Sequence, residues 1–230
     1  MRSSEDKQYL RSRLNDTVVV DKFLDDEEIK ELIELYHNKD KIHKNTGPVV
    51  SNLQDDPIFE KLVTRLKPLI GDFKVYSAAY FYVTFPHIIH NDDLFDLPNT
   101  FKAITLPLQL NYSGNNKELP SLCMFDQYYL DGPAKFFNGS KDIPTYYNKQ
   151  IYEYSNVENK TDQPFPEDIR LKYLTHLKKP WLEGFSIKSI HTWQPGSAII
   201  FDALRLHCAS DFRQLGISSK LGISIFTYTD

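Results

Sequence analysis

Six extended segments follow one another from residue 73 to the end of the chain, and they constrain the fold more than any other feature. Aromatic and β-branched residues dominate these segments, as is typical of strands. Turn residues such as Pro195 and Gly196 separate them, and little helical pattern lies between most of them. We therefore predict a mainly β fold, an antiparallel barrel or jelly roll rather than alternating strand–helix units. The six segments are 73–86, 101–112, 121–126, 185–193, 197–203 and 220–229.

Two amphipathic helices are predicted ahead of the strands. Asp25 and Glu28 form a capping-box pattern before an apolar stripe, and an acidic first turn suits the positive end of the helix dipole. Asp56 is a capping residue followed by proline, which starts a second apolar stripe. We expect residues 1–72 to form a helical annex packed on a β core that spans residues 73–230.

Residues 127–184 interrupt the rhythm of the strands. They are rich in Tyr, Asn, Asp, Lys and Pro, with a short helical pattern near their end. Long irregular segments inside a compact domain often form lids or binding surfaces. We expect an insertion or lid here.

The charge and the hydropathy pattern exclude several functions. The net charge is −4 and the isoelectric point is near 6.0, so the chain offers no general attraction to nucleic acid. No apolar run approaches the roughly 18–20 residues of a membrane span, and residues 1–16 lack the apolar centre of a signal peptide. We expect a cytoplasmic protein without a membrane or nucleic-acid partner, in which Cys123 and Cys208 are reduced packing residues.

Two histidines and one aspartate form a candidate metal site. In an extended segment, residues i and i+2 share a face, so His90 and Asp92 present an imidazole and a carboxylate together. The alternative is that these residues form a solvated turn. His207 follows the segment 197–203, and two imidazoles with one carboxylate would make the facial triad that leaves open positions on Fe(II).

The last predicted strand carries a candidate anion site. Strict alternation from Lys220 places Lys220, Gly222 and Ser224 on one face and three apolar residues on the other. A lysine that points into a barrel needs an anionic partner, and a ligand carboxylate is the obvious one.

These motifs occur in an order that resembles a known group of enzymes. His90-x-Asp92, the segment from Pro195 to His207, and a basic residue that opens the last strand resemble the Fe(II)/2-oxoglutarate-dependent oxygenases. The prolyl-hydroxylase-like and phytanoyl-CoA-dioxygenase-like branches are the most similar. The resemblance covers roughly residues 75–230, and it implies a double-stranded β-helix, the cupin-like form of the jelly roll.

The resemblance also implies the roles of the site residues. His90, Asp92 and His207 would be the catalytic iron ligands, and Lys220 would hold the distal carboxylate of 2-oxoglutarate, with O2 as the second co-substrate. Arg213 is a rival for that anchor, since many relatives carry arginine nearer to the second histidine. Three further candidates for 2-oxoglutarate binding are Ser224, Tyr82 and Asn111, although core or rim packing is favoured for the last two.

The implied activity is hydroxylation of a small molecule or of an amino-acid or peptidyl substrate. Asp92 is a true carboxylate, whereas the halogenases of this superfamily carry a small residue in its place, so hydroxylation is favoured. Two alternatives stay open at this point. One is a non-oxidative cupin-like metalloprotein, and the other is a non-enzymatic jelly-roll binding module.

Overall fold

The computed structural model describes residues 2–39, 42–44, 47–50, 53–94, 99–136 and 156–230. Short 3-10 helices lie at Leu53–Asp55, Lys179–Leu182 and Phe212–Leu215. The other elements, in chain order, are α1 (Ser4–Ser12), β1 (Val18–Val20), α2 (Asp26–Asn38), β2 (Ile42–Lys44), β3 (Gly47–Val50), α3 (Pro57–Ile70), β4 (Lys74–Val83), β5 (Ile89–His90), β6 (Thr100–Tyr112), β7 (Ser121–Tyr128), β8 (Lys135–Phe136), α4 (Glu167–Tyr173), β9 (Ile187–Thr192), β10 (Ala198–Asp202), β11 (Arg205–Ala209) and β12 (Ile217–Tyr228).

Two antiparallel sheets pack face to face. The larger has seven strands in the order β1-β10-β6-β12-β4-β3-β2, and the smaller has five in the order β8-β5-β11-β7-β9. From β9 to β12 the chain crosses between the sheets at every connection, as it does from β4 to β7. This alternation defines the double-stranded β-helix, so the predicted fold class is confirmed.

The outer face of the larger sheet is covered by α2 and α3. Their buried side chains, among them Leu32 and Leu62, pack against Tyr80 and Ile223 of the sheet. The predicted capping box is present, since the Glu28 N–H donates to Asp25 Oδ1 at 2.8 Å. Because the helices bury this face, the central strands of the larger sheet carry apolar residues on both faces.

The first 72 residues are not purely helical, which corrects the predicted annex. β1 pairs with β10 at one edge of the larger sheet, and β3 pairs with β4 towards the other edge. β2 then extends the sheet beyond β3. These edge strands are short, and they form because an existing sheet edge satisfies their backbone groups, so no apolar alternation marks them in the sequence.

The described part of the predicted insertion forms a second core. Within residues 156–184, Leu174, Leu177 and Leu182 pack on the outer face of the smaller sheet, where they form one cluster with Phe125 of β7. Residues 137–155 of the predicted lid lie outside the described residues. None of the helices in the described parts of the chain has both the length and the apolar character that crossing a membrane requires.

Close packing at Gly222 generates a stability prediction. A Cβ atom there would lie 2.7 Å from Cζ of Phe81 and 3.0 Å from the carbonyl oxygen of Leu106. Gly222→Ala should therefore lower the free energy of unfolding by roughly 1–3 kcal/mol, measured by urea denaturation. Gly114→Ala is the matched control, because no heavy atom lies within 4 Å of its added Cβ. Equal stability of the two variants would contradict this packing.

Candidate metal centre

The structure brings His90, Asp92 and His207 together. β5 and β11 pair with His90 directly opposite His207, and their ring centroids lie 4.3 Å apart. Asp92 follows β5, and its Oδ2 lies 3.3 Å from Nε2 of His207 while its Oδ1 lies 3.8 Å from Nε2 of His90. One ligand atom from each residue lies within 4.8 Å of the others. The three side chains therefore converge on one point.

Backbone acceptors set the tautomer of both histidines. Nδ1 of His90 lies 2.7 Å from the carbonyl oxygen of Ile88, and Nδ1 of His207 lies 3.0 Å from that of Arg205. A carbonyl oxygen only accepts, so each Nδ1 carries the proton. The Nε2 lone pairs are then free, and both point towards the carboxylate of Asp92. Histidines that bind metals are oriented in this way.

The electrostatic environment keeps His90 and Asp92 in the protonation states that a metal requires. Burial lowers the pKa of His90 to about 3, and His207 adds to that effect. Burial alone would raise the pKa of Asp92, but His207 and His90 beside it bring the pKa below its ordinary value. At neutral pH His90 is uncharged and Asp92 is ionised. Two imidazole nitrogens and a carboxylate fit a divalent transition metal, and a facial set of three leaves positions open for ligands.

A cavity of about 160 Å³ lies beside this cluster, between the two sheets. Its polar wall includes His87, Thr105, Lys220 and Ser224. Most of the remaining wall is apolar and largely aromatic. A cavity lined by few polar groups among apolar ones is typical of a small-molecule site. Its apolar lining consists of Phe81, Val83, Phe85, Leu122, Trp193, Ala209 and Phe226.

Lys220 places a desolvated cation on the cavity wall. The residue is only 3% exposed, and its Nζ lies 4.6 Å from the centroid of the Trp193 ring and 5.0 Å from that of Phe212. No carboxylate forms an ion pair with Lys220 within the described residues. Burial lowers the pKa of Lys220 to about 7. A ligand anion would restore the electrostatic stabilisation that this ammonium loses on burial.

Ser224 shares the cavity wall with Lys220, but Tyr82 does not reach it. β4 directs Phe81 and Val83 into the cavity, so the side chain of Tyr82 points the opposite way and packs against the core under α2 and α3. The sequence predicts the alternation of side chains along β4, but alternation alone does not determine which face of the strand points into the cavity. Tyr82 is therefore removed from the candidate 2-oxoglutarate ligands.

Asn111, another predicted 2-oxoglutarate ligand, also lies outside the cavity, for a different reason. A β-bulge in β6, opposite β12, adds one residue and reverses the alternation. Thr105 faces the cavity before the bulge, whereas after it Leu110 packs inward between the sheets. Asn111 is turned out of the cavity and donates from Nδ2 to Ser219 Oγ at 2.8 Å.

The rival anchor Arg213 lies outside the cavity. It is exposed, and its guanidinium stacks over the ring of Phe85 with 4.8 Å between Cζ and the ring centroid. The sequence analysis did not include His87 in the site, yet His87 lines the cavity with its ring 5.6 Å from that of His90. Burial lowers the pKa of His87 to about 4, so it is a neutral polar group at physiological pH. The only signal for it was its position three residues before His90.

Comparison with known proteins supports the assignment of the fold. No protein-family model matches the sequence, and no curated protein sequence matches it either. The non-heme alpha ketoglutarate dependent epimerase SnoN from nogalamycin biosynthesis superposes with a TM-score of 0.52 at 12% identity, covering 98% of this chain and 83% of that one. HygX from Streptomyces hygroscopicus, solved with nickel, 2-oxoglutarate and hygromycin B, gives 0.51 at 12% identity, covering 99% and 87%.

The carbocyclase SnoK, also alpha ketoglutarate dependent and from nogalamycin biosynthesis, gives a TM-score of 0.50 at 15% identity, covering 99% of this chain and 84% of that one. At such identities the likeness shows the fold alone. This chain shares the double-stranded β-helix fold with SnoN, HygX and SnoK over nearly its whole length.

The desolvation of Lys220 predicts how stability depends on pH. The pKa of Lys220 is about 7 in the folded protein against an ordinary value of 10.5, so the unfolded chain binds more protons between these pH values. Lys220 therefore makes wild-type stability rise with pH across that window. Lys220→Met should raise the free energy of unfolding of the metal-free protein at pH 7 by roughly 1–4 kcal/mol and should flatten that rise.

Chemical denaturation between pH 7 and pH 10 measures both effects. Lys30→Met, on the exposed face of α2, is the control and should change neither the stability at pH 7 nor its slope with pH. A Lys220→Met variant with an unaltered pH slope would show that the ammonium is not desolvated.

Proposed function

We propose that this protein is an Fe(II)- and 2-oxoglutarate-dependent oxygenase. The observation that carries the proposal is the convergence of Nε2 of His90, Nε2 of His207 and the carboxylate of Asp92 beside a cavity in a double-stranded β-helix. The buried Lys220 on the wall of that same cavity supports it. The same fold in SnoN and HygX, described as alpha ketoglutarate dependent and as holding 2-oxoglutarate, adds support.

Each residue has a distinct part in the proposed site. His90, Asp92 and His207 would hold the iron, which when bound supplies the redox chemistry that activates O2 at the expense of 2-oxoglutarate. Lys220 binds the distal carboxylate of 2-oxoglutarate through a charge-assisted contact, and the hydroxyl of Ser224 on the same wall adds a polar contact. The aromatic lining around them excludes water, which strengthens that contact.

We further propose that the prime substrate is a small molecule and that the reaction is a hydroxylation. The small cavity supports a small substrate, and HygX is a protein of this fold that holds hygromycin B. Nothing among the described residues favours a peptidyl substrate. The carboxylate of Asp92 supports hydroxylation over halogenation, because it fills the position that a halide would need.

Substitution of the three ligands tests the metal centre. His90→Ala, Asp92→Ala and His207→Ala should each weaken Co(II) binding on the order of 100-fold or more, because only two ligands remain. Each should also abolish the formation of succinate from 2-oxoglutarate in the presence of Fe(II). His37→Ala, on the exposed side of α2, is the control and should leave both properties unchanged.

The alternatives give different results in the same assay. A wild-type protein that binds metal at the three residues but never consumes 2-oxoglutarate, with any member of a metabolite panel, would be a non-oxidative cupin-like metalloprotein. A wild-type protein that binds no divalent metal would be a binding module, and the proposal would be wrong.

Lys220→Ala tests the co-substrate. A charge-assisted contact to a carboxylate is worth about 1.5–3 kcal/mol, so the apparent KM for 2-oxoglutarate should rise roughly ten- to more than a hundred-fold. Metal affinity should stay nearly unchanged, because Lys220 is not a ligand. Arg213→Ala removes an exposed cation that stacks on Phe85 outside the cavity, and it should leave KM within about twofold of wild type. If Arg213→Ala raises the KM for 2-oxoglutarate and Lys220→Ala does not, Arg213 would be the residue that binds the distal carboxylate.

A further inference from the structure

We propose that Arg2 is a positioning residue that acts through Asp93 to fix the carboxylate of Asp92. The inference rests on the proposed metal site, and it assigns a role to α1 that the proposed chemistry does not by itself require. Its starting point is a difference between the ligands. His90 and His207 are fixed by the pairing of β5 with β11, whereas Asp92 lies just beyond the end of β5.

The segment that carries Asp92 is held by bonds to other parts of the chain. The Asp92 N–H donates to the carbonyl oxygen of Ala203 at 2.8 Å. On one side of Asp92, the buried Asn91 accepts from the Ala134 N–H through Oδ1 at 2.6 Å. The Asn91 amide also donates to two backbone carbonyls of residues 129–132, at 3.2 and 3.1 Å. The loop that follows β7 therefore supports this side of the segment.

Arg2 supports the other side. The side chain of Asp93 is 0% exposed, and Arg2 contacts it through both ends of the guanidinium. Nη1 lies 2.5 Å from Oδ2 of Asp93 and Nη2 lies 2.9 Å from Oδ1. Nη1 also donates to the carbonyl oxygen of Leu130 at 2.8 Å. A two-point contact of this kind fixes orientation as well as distance.

A second ion pair fastens α1 to the same loop. Lys7 Nζ lies 2.7 Å from Oδ2 of Asp131, whose Oδ1 accepts from the Arg2 backbone N–H at 3.2 Å. Leu10 packs against Leu130 and Leu204. Arg2, which lies just before α1, therefore contacts Asp93, and α1 contacts the loop that binds Asn91. Since these contacts lie on both sides of Asp92, loss of Arg2 should free the carboxylate without disturbing the paired histidines.

The test compares two arginine substitutions in the full-length protein. Arg2→Gln removes the charge and the two-point contact to Asp93. Arg11→Gln is the matched control, since Arg11 pairs with Glu158 at 2.6 Å, with side chains 41% and 29% exposed, and does not contact Asp93. Arg2→Lys is the conservative variant, because it keeps the positive charge but cannot make the two-point contact of a guanidinium with a carboxylate. The readouts are Co(II) affinity and hydrogen exchange of the Asp92 amide in the metal-free protein.

We expect Arg2→Gln to weaken Co(II) binding about 10–100-fold, as loss of a group that orients a ligand does. The Asp92 amide should exchange faster, while amides of β11 and β12 exchange as in wild type. Arg2→Lys should fall between Arg2→Gln and wild type, and Arg11→Gln should match wild type.

Wild-type Co(II) affinity in both Arg2 variants would overturn the inference and leave the proposed function intact. So would a lower melting temperature, or faster exchange throughout the protein, without a specific loss of Co(II) affinity, because α1 would then be only structural. If Arg2→Gln does not fold, Arg2→Lys decides, and wild-type affinity in that variant would count against the inference. Absence of Co(II) binding to the wild-type protein would overturn the proposed function and this inference together.

Discussion

The pairing of β5 with β11 is the contact on which the whole site depends. It joins residues far apart in the sequence and sets His90 opposite His207. β5 contributes only Ile89 and His90 to the sheet, so the pair is short and needs support from both sides. β8 supports β5 at the sheet edge, and the loop before β8 bonds to Asn91. The metal centre is thus assembled by sheet formation rather than by a local motif.

The cavity separates two groups of opposite charge, the partly buried Asp92 and the buried Lys220. The Asp92 carboxylate lies with the histidines, and the Lys220 ammonium lies on the wall among aromatic rings. Each is desolvated, and no ion pair joins the two. A metal ion beside Asp92 and a carboxylate near Lys220 would each compensate one of these charges. In the unliganded protein the charge of Lys220 carries an energetic cost, so a ligand anion that binds there should stabilise the protein.

The N-terminal residues contribute to more of the structure than a helical annex would. Arg2 contacts Asp93, and α1 contacts the loop that binds Asn91, as described above. Further on, the Asn15 N–H donates to the buried Asp202 at 2.5 Å, and Asp202 in turn forms an ion pair with Lys102. β1 then completes the edge of the larger sheet beside β10. Residues 2–20 therefore cover one end of the β-helix, and a site built from the β core alone would lack these supports.

The sequence by itself determined the long strands, the two helices that cover the larger sheet, and the facing of Lys220 with Ser224, because each depends on local periodicity and capping. Only the tertiary structure decided which face of β4 is inward, since helices bury the other face too. It also decided the bulge that turned Asn111 away, because an extra residue in one strand is defined only against its partner. The contact of Arg2 with Asp93 was also decided only by the tertiary structure. The two residues lie 91 positions apart in the sequence, and no local pattern relates them.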